Sequence, residues 1–444
     1  MKNGVGKNIF RYKVVFSAFF FISCATTADY NFSAIDTSIG RSDYPAVYAE
    51  LEKDNKKLYS KNDVVLSDID KGLISHYAGE AERSNKELSD AEQKIREYAS
   101  KSVTQSVGSY IVNDNVKDYS GETYEDIYTN VFKCLNYLEL GNHDEAFVEI
   151  RRFDNKLKDI TQQYQGLLAS AQKDIDSKGG KMPAADMKFH NSALARYMSM
   201  LMYRSEGNTD DARIDYKQIK TAFALQRELY DFDIPASIND DIDIPKGMAR
   251  LNVISFTGLA PVKVENTLRV AMGNTYYKLA LPEMKKRGSN IASADITAVS
   301  KTDGSRNTVQ LEKIESIENI AVDTYQQHYA LIFARSLTRS IAKATTTAVL
   351  NDQSQNDNGT TGGVLGLLSL ATALTTEFTE RADVRTTRYF PATASVTGMT
   401  LTPGVYDITV KYYDGRGSVA AERQFPAVTV SPQVLNLVES ICLR

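Results

Sequence analysis

The sequence predicts an α+β fold in which an all-helical N-terminal half is followed by a half that mixes strands with helix. Two patterns carry this prediction. Over residues 44–229, apolar residues recur at the spacing of about 3.6 that is typical of helices. Beyond residue 229, apolar and polar residues alternate between Gly, Pro and Asp, as they do in strands. A content of 42% apolar and 24% charged residues in 444 is that of a globular protein.

The N-terminus predicts export and lipidation. An apolar run over 14–22 is too short to span a bilayer and follows four basic residues, as in an export signal. The small residue Ser23 before Cys24 is similar to a bacterial lipoprotein cleavage site, at which the cysteine becomes the lipidated first residue. We expect a signal peptide over 1–23, lipidation of Cys24 and a linker over 24–43. The alternatives are a plain signal peptide or a buried helix that contains a cysteine.

The charge balance argues against nucleic acid as a partner. The whole chain has a formal net charge of -4, with 52 basic and 56 acidic side chains. Cleavage before Cys24 removes four basic residues, which leaves 48 against 56, or -8. A mature chain with this acidic excess has no basic surplus with which to neutralise a phosphate backbone. We therefore expect acyl chains, rather than a polybasic segment, to hold it at a membrane.

The helical half contains an internal repeat. An apolar helix face ends at Gly141 and restarts with Ala146, and the same arrangement recurs at Gly207 and Ala212. Both pairs are 66 residues apart, which is about two periods of the 34-residue tetratricopeptide kind. A weaker third copy has its turn at Gly79. These residues predict a tetratricopeptide-like solenoid whose concave face binds a partner, and a plain helical bundle is the alternative.

Three regions are predicted after the repeats. An α+β domain over 230–350 includes a helix from about 314 to 349. A Gly-rich loop and an apolar helix occupy 351–375, and the apolar run over 364–374 is expected to be buried rather than membrane-facing. A β-rich region over 376–444 forms a small sheet or sandwich. The pairs Asp303-Gly304 and Asp414-Gly415 are typical of hairpin turns.

No pattern of catalytic or metal-ligating residues emerges. The sequence lacks the motifs of nucleophilic serine hydrolases, P-loop enzymes and zinc proteases, and we expect no enzyme activity, cofactor, metal or small-molecule substrate. Cys134 and Cys442 could form at most one disulfide, although a buried thiol is the simpler reading of Cys134. On the long helix, Arg335, Arg339 and Lys343 lie at intervals of four, which indicates a solvated or ion-paired face, with an anionic partner as the alternative.

Five sequence blocks together resemble a family of largely uncharacterised bacterial envelope lipoproteins with helical repeats. The blocks are NYLELGNHDEAFVEIRRF, TGLAPVKVE, LIFARSLTRSIAKA, RADVRTTRYFPA and LTPGVYDITV. The resemblance spans most of the mature chain, and it implies an envelope lipoprotein near cell-wall assembly factors without supplying catalytic residues. In that family the fourth block more often carries a Trp, whereas this chain has Thr386-Thr387.

The function predicted from the sequence is that of a lipid-anchored scaffold. Its repeats would bind an envelope protein, and its anchor would hold the complex at the membrane, which we expect to be the periplasmic side of the outer membrane. Two other classes are open at this point. One is an envelope hydrolase or glycan-binding protein, and the other is a subunit of a secretion or pore assembly.

Overall fold

The computed structural model describes residues 32–104, 117–272, 275–356 and 381–444. Within these ranges nine α-helices precede the first strand, which confirms the predicted α+β class with helices first and sheets later. The helices are α1 (Ser33–Arg41), α2 (Tyr44–Lys53), α3 (Asn55–Leu58), α4 (Val64–Tyr77), α5 (Ala81–Thr104), α6 (Thr123–Glu139), α7 (His143–Ser177), α8 (Ala193–Ser205), α9 (Thr209–Leu225) and α10 (Ile317–Asn356). The strands are β1 (Ala249–Thr257), β2 (Val262–Met272), β3 (Thr275–Lys285), β4 (Ser293–Ser300), β5 (Arg306–Gln310), β6 (Glu312–Ser316), β7 (Thr393–Leu401), β8 (Gly404–Tyr413), β9 (Val419–Val430) and β10 (Asn436–Cys442).

Three helix hairpins, α4–α5, α6–α7 and α8–α9, turn at glycines with left-handed backbone. The φ angles are 76° at Gly79, 73° at Gly141 and 79° at Gly207. At each turn the glycine N–H bonds to the carbonyl three residues back, and the next N–H bonds to the carbonyl five residues back. This repeated pattern is a Schellman-type helix end. A Cβ at any of the three would meet nothing within 4 Å, so the backbone conformation, and not lack of space, calls for glycine.

Small residues allow the two helices of a hairpin to approach closely. Ala146 in the first turn of α7 and Ala212 in the first turn of α9 are completely buried. In the first hairpin, a Cβ on Gly72 of α4 would lie 2.6 Å from Cδ2 of Leu88 in α5. Any larger side chain at that position would push the two helices apart.

The strands form two four-stranded sheets and a separate ribbon. The first sheet has the order β10-β1-β7-β6, the second has the order β5-β4-β8-β9, and β2 pairs only with β3 among the described strands. Each four-stranded sheet contains strands from both of the regions that were predicted as separate, 230–350 and 376–444. The chain therefore builds one sandwich from both segments, closed by parallel pairing of β1 with β10.

The first sheet is the middle layer of the molecule. Every residue of β1 is buried, which requires cover on both faces. Leu251 and Val253 pack against Ile296 and other side chains of the second sheet. Ile254 and Phe256 point the other way and belong to the core shared with the helices. The layers are thus helices, first sheet and second sheet.

A third core joins the ribbon to two long helices. The ribbon β2–β3 packs against α10 and against the C-terminal half of α7, and we call this assembly the arm. Its buried contacts include Ile175 of α7, Leu279 and Leu281 of β3, and Leu331 and Leu337 of α10. Since α6 has 17 residues and α7 has 35, the second half of α7 extends beyond its hairpin partner and is available to build the arm.

Several expectations from the sequence need correction. The expected linker contains α1, because Ile35 and Ile39 lie one helical turn apart and are both buried. The start of the expected loop at 351–356 belongs to α10. The buried thiol expected at Cys134, by contrast, is confirmed, since Cys134 and Cys442 are both buried and free. Arg339 is also buried rather than solvated, and it donates to Ser336 Oγ.

Two alanine substitutions of opposite sign test the turn geometry. Gly141→Ala forces a left-handed conformation on a residue with a Cβ, and we expect it to lower the free energy of unfolding by about 1 kcal/mol. Gly166→Ala replaces an exposed glycine inside α7 that has open space around it, so we expect a gain of about 1 kcal/mol. Chemical denaturation of both variants measures the two changes, and equal signs would refute the assignment of strain to the turn.

Candidate functional site

The inner faces of the first helices of the hairpins, where a partner was expected, are covered by the chain itself. Residues 381–392, which belong to no helix or strand, run past α4 and α6. The hydroxyl of Tyr77 in α4 donates to the carbonyl of Tyr389 at 2.8 Å. The backbone N–H groups of Thr387 and Arg388 donate to carboxylates on the helices, at 2.8 Å and 2.9 Å. This segment occupies the position of a bound peptide, so the expected concave groove is not open here.

Arg385 fixes the segment through charge. Its guanidinium donates to Asp63 Oδ1 at 3.0 Å and to Asp383 Oδ2 at 2.7 Å. It also donates to the carbonyl of Lys117 at 2.9 Å. All these groups are largely shielded from water, where charge-assisted hydrogen bonds are stronger than on the surface.

The first sheet covers the rest of the inner helix surface through polar contacts. Asn252 of β1 donates to the hydroxyl of Tyr197 in α8 at 2.9 Å. His76 of α4 lies 2.6 Å from Asn136 Oδ1 and 2.8 Å from Glu439 Oε1 of β10. Burial alone would lower the pKa of His76, but the Glu439 carboxylate and the Asn136 amide raise it above its ordinary value. His76 is thus a structural histidine that joins helices to sheet.

Glu315 of β6 is a buried carboxylate held by hydroxyl groups. It accepts from Tyr128 at 2.5 Å, from Ser192 at 2.8 Å and from Tyr230 at 2.7 Å. The N–H of Leu194 in the first turn of α8 donates to it at 3.1 Å. Burial raises the pKa of Glu315 in spite of these donors. The site ties α6, the start of α8 and the turn after α9 to the sheet edge, and Glu315 lines neither of the two clefts described below.

Glu122, next to α6, connects the helices with the arm. Its carboxylate forms an ion pair with Lys263 of β2 and accepts from Nδ1 of His328 in α10 at 2.7 Å. Burial would raise the pKa of Glu122, but His328 and Lys263 lower it. Glu122 and Lys263 are almost completely buried, so each charge depends on the other.

Two open clefts among the described residues bear on function. One has a volume of about 340 Å³ and is lined by Leu259, Arg287, Gly288, Ser289, Asn290 and Arg444. The other has a volume of about 300 Å³ and lies between the ribbon and α10, lined by Asn266, Leu268, Leu281, Glu283, Met284, Val322, Tyr325, Gln326 and Tyr329. Glu283 is the one carboxylate in either lining, whereas glycoside hydrolysis uses a pair.

The arm presents the most exposed apolar side chains next to a cleft. Tyr276 of β3 is 77% exposed and Leu268 of β2 is 41% exposed. From Glu265 to Arg269, β2 is exposed on both of its faces, and no described strand pairs with its outer edge. A long strand edge of this kind offers backbone N–H and C=O groups to another chain.

Other predicted features are accounted for as follows. Cys24 and the apolar run 364–374 lie outside the described residues. No group of three or more His, Cys, Asp or Glu in the described ranges could hold a metal ion. In the part of the chain that the structure covers, no helix is both long and apolar enough to cross a membrane.

Comparison with known proteins identifies no relative. No protein-family model, no curated protein and no solved structure matches the chain.

Two features that organise these surfaces were not predicted from the sequence: the connection over 381–392 and the buried Lys263. Residues 381–392 were expected to be strand-like, yet they form a connection that fills the helix layer. The density of charge in RADVRTTR, where three arginines accompany one aspartate, is a signal that could have marked it. Lys263 carries no such signal, because it lies in an ordinary alternating strand pattern.

Removal of Lys263 tests the link between the helices and the arm. Lys263→Met leaves Glu122 buried with only His328, so we expect a loss of about 3–5 kcal/mol in the free energy of unfolding. Lys285→Met, at an exposed position on β3, is the matched control and should change stability by no more than about 0.5 kcal/mol. Equal effects in denaturant titrations would show that the buried pair does not support the arm.

Asp70 gives a prediction about pH. Burial raises its pKa to about 7 in the folded chain, and the carboxyl accepts from Tyr59 and from the N–H of Arg388. A carboxyl whose pKa is raised in the folded chain lowers the free energy of unfolding once it ionises. For Asp70 this loss begins at about pH 4, the pKa in the unfolded chain, and is complete above about pH 7. The full loss is about 4 kcal/mol.

Asp70→Asn should therefore raise the melting temperature at pH 8, with a smaller gain at pH 5. Asn keeps the acceptor for Arg388, and the Tyr59 hydroxyl can turn to accept from the amide. Asp159→Asn, an exposed change on α7, serves as the control and should show no gain that depends on pH. A constant difference between Asp70→Asn and the parent from pH 5 to pH 8 would contradict the prediction.

Proposed function

We propose that this chain is a lipid-anchored bacterial envelope protein that binds a protein partner through its arm. The observation that carries this proposal is the exposed edge of β2 beside a cleft that contains Leu268 and Tyr329. The anchor rests on the sequence around Cys24, and the envelope location rests on the resemblance to repeat-containing lipoproteins. The three helix hairpins are interpreted as tetratricopeptide-like repeats, on the strength of their matching glycine turns.

The partner surface differs from the one that the repeats alone would predict. Free helical repeats commonly bind ligands on the concave face. In this chain that face is occupied by residues 381–392 and by the first sheet, through contacts such as Tyr77 to Tyr389 and His76 to Glu439. The repeats therefore act as a support, and recognition is assigned to the arm that extends from them.

The edge of β2 suits an extended segment of the partner. An added strand would hydrogen bond to the outward N–H and C=O groups of β2, which gives affinity with little dependence on sequence. Alternate side chains of that strand would lie over the cleft beside Leu268, where Tyr325 and Tyr329 supply apolar surface. On the other face, Glu265 and Arg269 lie four residues apart and would favour a partner strand with oppositely placed charges.

The lipid anchor would confine the bound partner to the membrane surface. A segment captured by the arm stays at the membrane surface for as long as it is bound, which raises its local concentration there. The ion pair of Glu122 with Lys263 holds β2 on the helices, so the edge is presented from a rigid base.

The test uses site-specific photocrosslinking in intact cells. A photoreactive residue at Leu268 should capture a discrete envelope protein, because this position lies on the β2 edge beside the cleft. The same residue at Leu225, which is 69% exposed at the end of α9, is the control and should capture none or a different set. Equal products at both positions, or no product at Leu268, would refute the arm as the binding surface.

The anchor is tested in the same cells by Cys24→Ala. We expect the parent chain to fractionate with membranes and to incorporate labelled fatty acid, and the variant to lose the label and its discrete crosslink at Leu268. A variant that remains labelled would refute lipidation at Cys24. Loss of the label with the crosslink retained would separate the two parts of the proposal, leaving the binding surface without the anchor.

A further inference from the structure

Four arginines surround α1, the first described helix, and we call them the arginine collar: Arg287, Arg388, Arg423 and Arg444. They come from three separate parts of the chain. Arg287 follows β3, Arg388 lies in the segment before β7, and the other two belong to the last strands and their end. The chain as a whole has a net charge of -4, so this concentration of basic residues departs from its average.

Three members of the collar contact α1 or its ends directly. The guanidinium of Arg388 lies 3.7 Å from the centre of the Phe32 ring, and it lies 3.6 Å from Asp36. Arg444 donates from Nε to the carbonyl of Gly40 at 2.5 Å. Arg423 donates to the hydroxyl of Ser42, the residue that ends the helix.

The positive charge of the collar is poorly compensated. Arg287 donates to the carbonyl of Ala260 at 2.6 Å and to the carbonyl of Arg388. Within the described ranges, Asp36 is the one carboxylate within ion-pair distance of any collar arginine. Nε of Arg388 is buried and has no hydrogen-bond partner among the described residues. Burial, together with the charge of Arg388, lowers the pKa of Arg287 to about 10.

A cleft opens between two of these arginines. The cleft of about 340 Å³ is lined by Arg287 and Arg444, by Leu259 and by the exposed run Gly288, Ser289 and Asn290. Guanidinium groups have planar donor arrays that match phosphate oxygens. The two arginines spend part of their donors on carbonyls and have further N–H groups that an anion could use.

The position of α1 close to Cys24 favours a lipid headgroup as the source of the phosphate. Phe32 is the eighth residue after Cys24, and an extended chain of eight residue steps spans at most about 28 Å. If Cys24 carries acyl chains, α1 and its collar lie within that distance of the membrane surface. This step rests on the proposed lipid anchor, while the charge and the cleft do not.

We propose that the arginine collar binds the phosphate groups of anionic lipid headgroups and holds the α1 side of the molecule against the bilayer. The lipid anchor supplies attachment, and the collar supplies orientation. Each arginine near an anionic surface strengthens binding about fivefold, so two of them account for a factor of about 25.

The experiment measures binding to vesicles with the full chain carrying Cys24→Ala, so that no acyl chain contributes. Residues 1–23 remain in every sample and contribute equally. We expect vesicles containing phosphatidylglycerol to bind more protein than vesicles of phosphatidylcholine alone. Arg287→Gln with Arg444→Gln should weaken binding to the anionic vesicles about 25-fold, and Lys at both positions should restore most of it.

Arg227→Gln with Arg306→Gln is the matched control, since it removes the same charge from exposed positions near the end of α9 and on β5. We expect it to weaken binding by no more than about twofold, because charges farther than a Debye length of about 10 Å from the surface are screened. Equal losses in the collar variant and the control variant would overturn the proposal.

Two further outcomes are decisive. If the Gln variant fails to show a cooperative melting transition, the parent decides the question, because equal binding to the two kinds of vesicle overturns the proposal.

Inorganic phosphate tests the other source of the same chemistry. If phosphate raises the melting temperature of the parent but not of the collar variant, and the parent shows no preference for phosphatidylglycerol, the cleft binds free phosphate and the lipid assignment is wrong. Failure of the lipid anchor itself is read separately, from the cell fractionation of Cys24→Ala.

Discussion

The contact between residues 381–392 and the first helices of the hairpins is the constraint on which the rest of the structure depends. The segment supplies donors to carboxylates that burial would otherwise leave without partners. Glu125 of α6 accepts from the backbone and hydroxyl of Thr387, and Asp70 accepts from Arg388. A buried polar group without a partner costs free energy of about 1–3 kcal/mol. The helices can therefore present these carboxylates inward only when the segment is in place, and the segment leads directly into β7 of the first sheet.

This arrangement determines which surfaces remain for function. A helix layer whose inner face is filled by its own chain cannot use that face for a partner, and the binding surface proposed above therefore lies on elements that project from the hairpins. The start of α10 packs in the core of the hairpins, whereas its later turns pack against the second half of α7 and against the ribbon. Glu122 connects this arm to the helices through Lys263 of β2 and His328 of α10. The buried contacts that fill the inner face of the helices thus lie beside the ion pair that holds the arm in place.

Local features of the chain could be predicted from the sequence, and long-range pairings could not. The turns at Gly141 and Gly207 follow from a few neighbouring residues, because a left-handed helix end favours glycine regardless of the rest of the fold. The parallel pairing of β1 with β10 joins Leu251 to Asn436, and no nearby residue encodes it. The contact of His76 with Glu439 has the same character, since the partners are 363 positions apart in the sequence. The regions expected over 230–350 and 376–444 were each rich in strands, but the long-range pairings of β1 with β10, β1 with β7 and β4 with β8 make them one sandwich.

The position of α1 links the anchor to the centre of the fold. Gly40 at the end of this helix accepts from Arg444, which directly follows β10 and Leu443. β10 is paired along its whole length with β1, the strand that is buried on both faces. A chain held at Cys24 would therefore transmit force through α1 into the last strand and from there into the middle layer, rather than into a loose terminus. If Cys24 carries acyl chains, such a connection would let the anchor hold a rigid body, and the arginine collar would lie on the side of that body nearest the anchor.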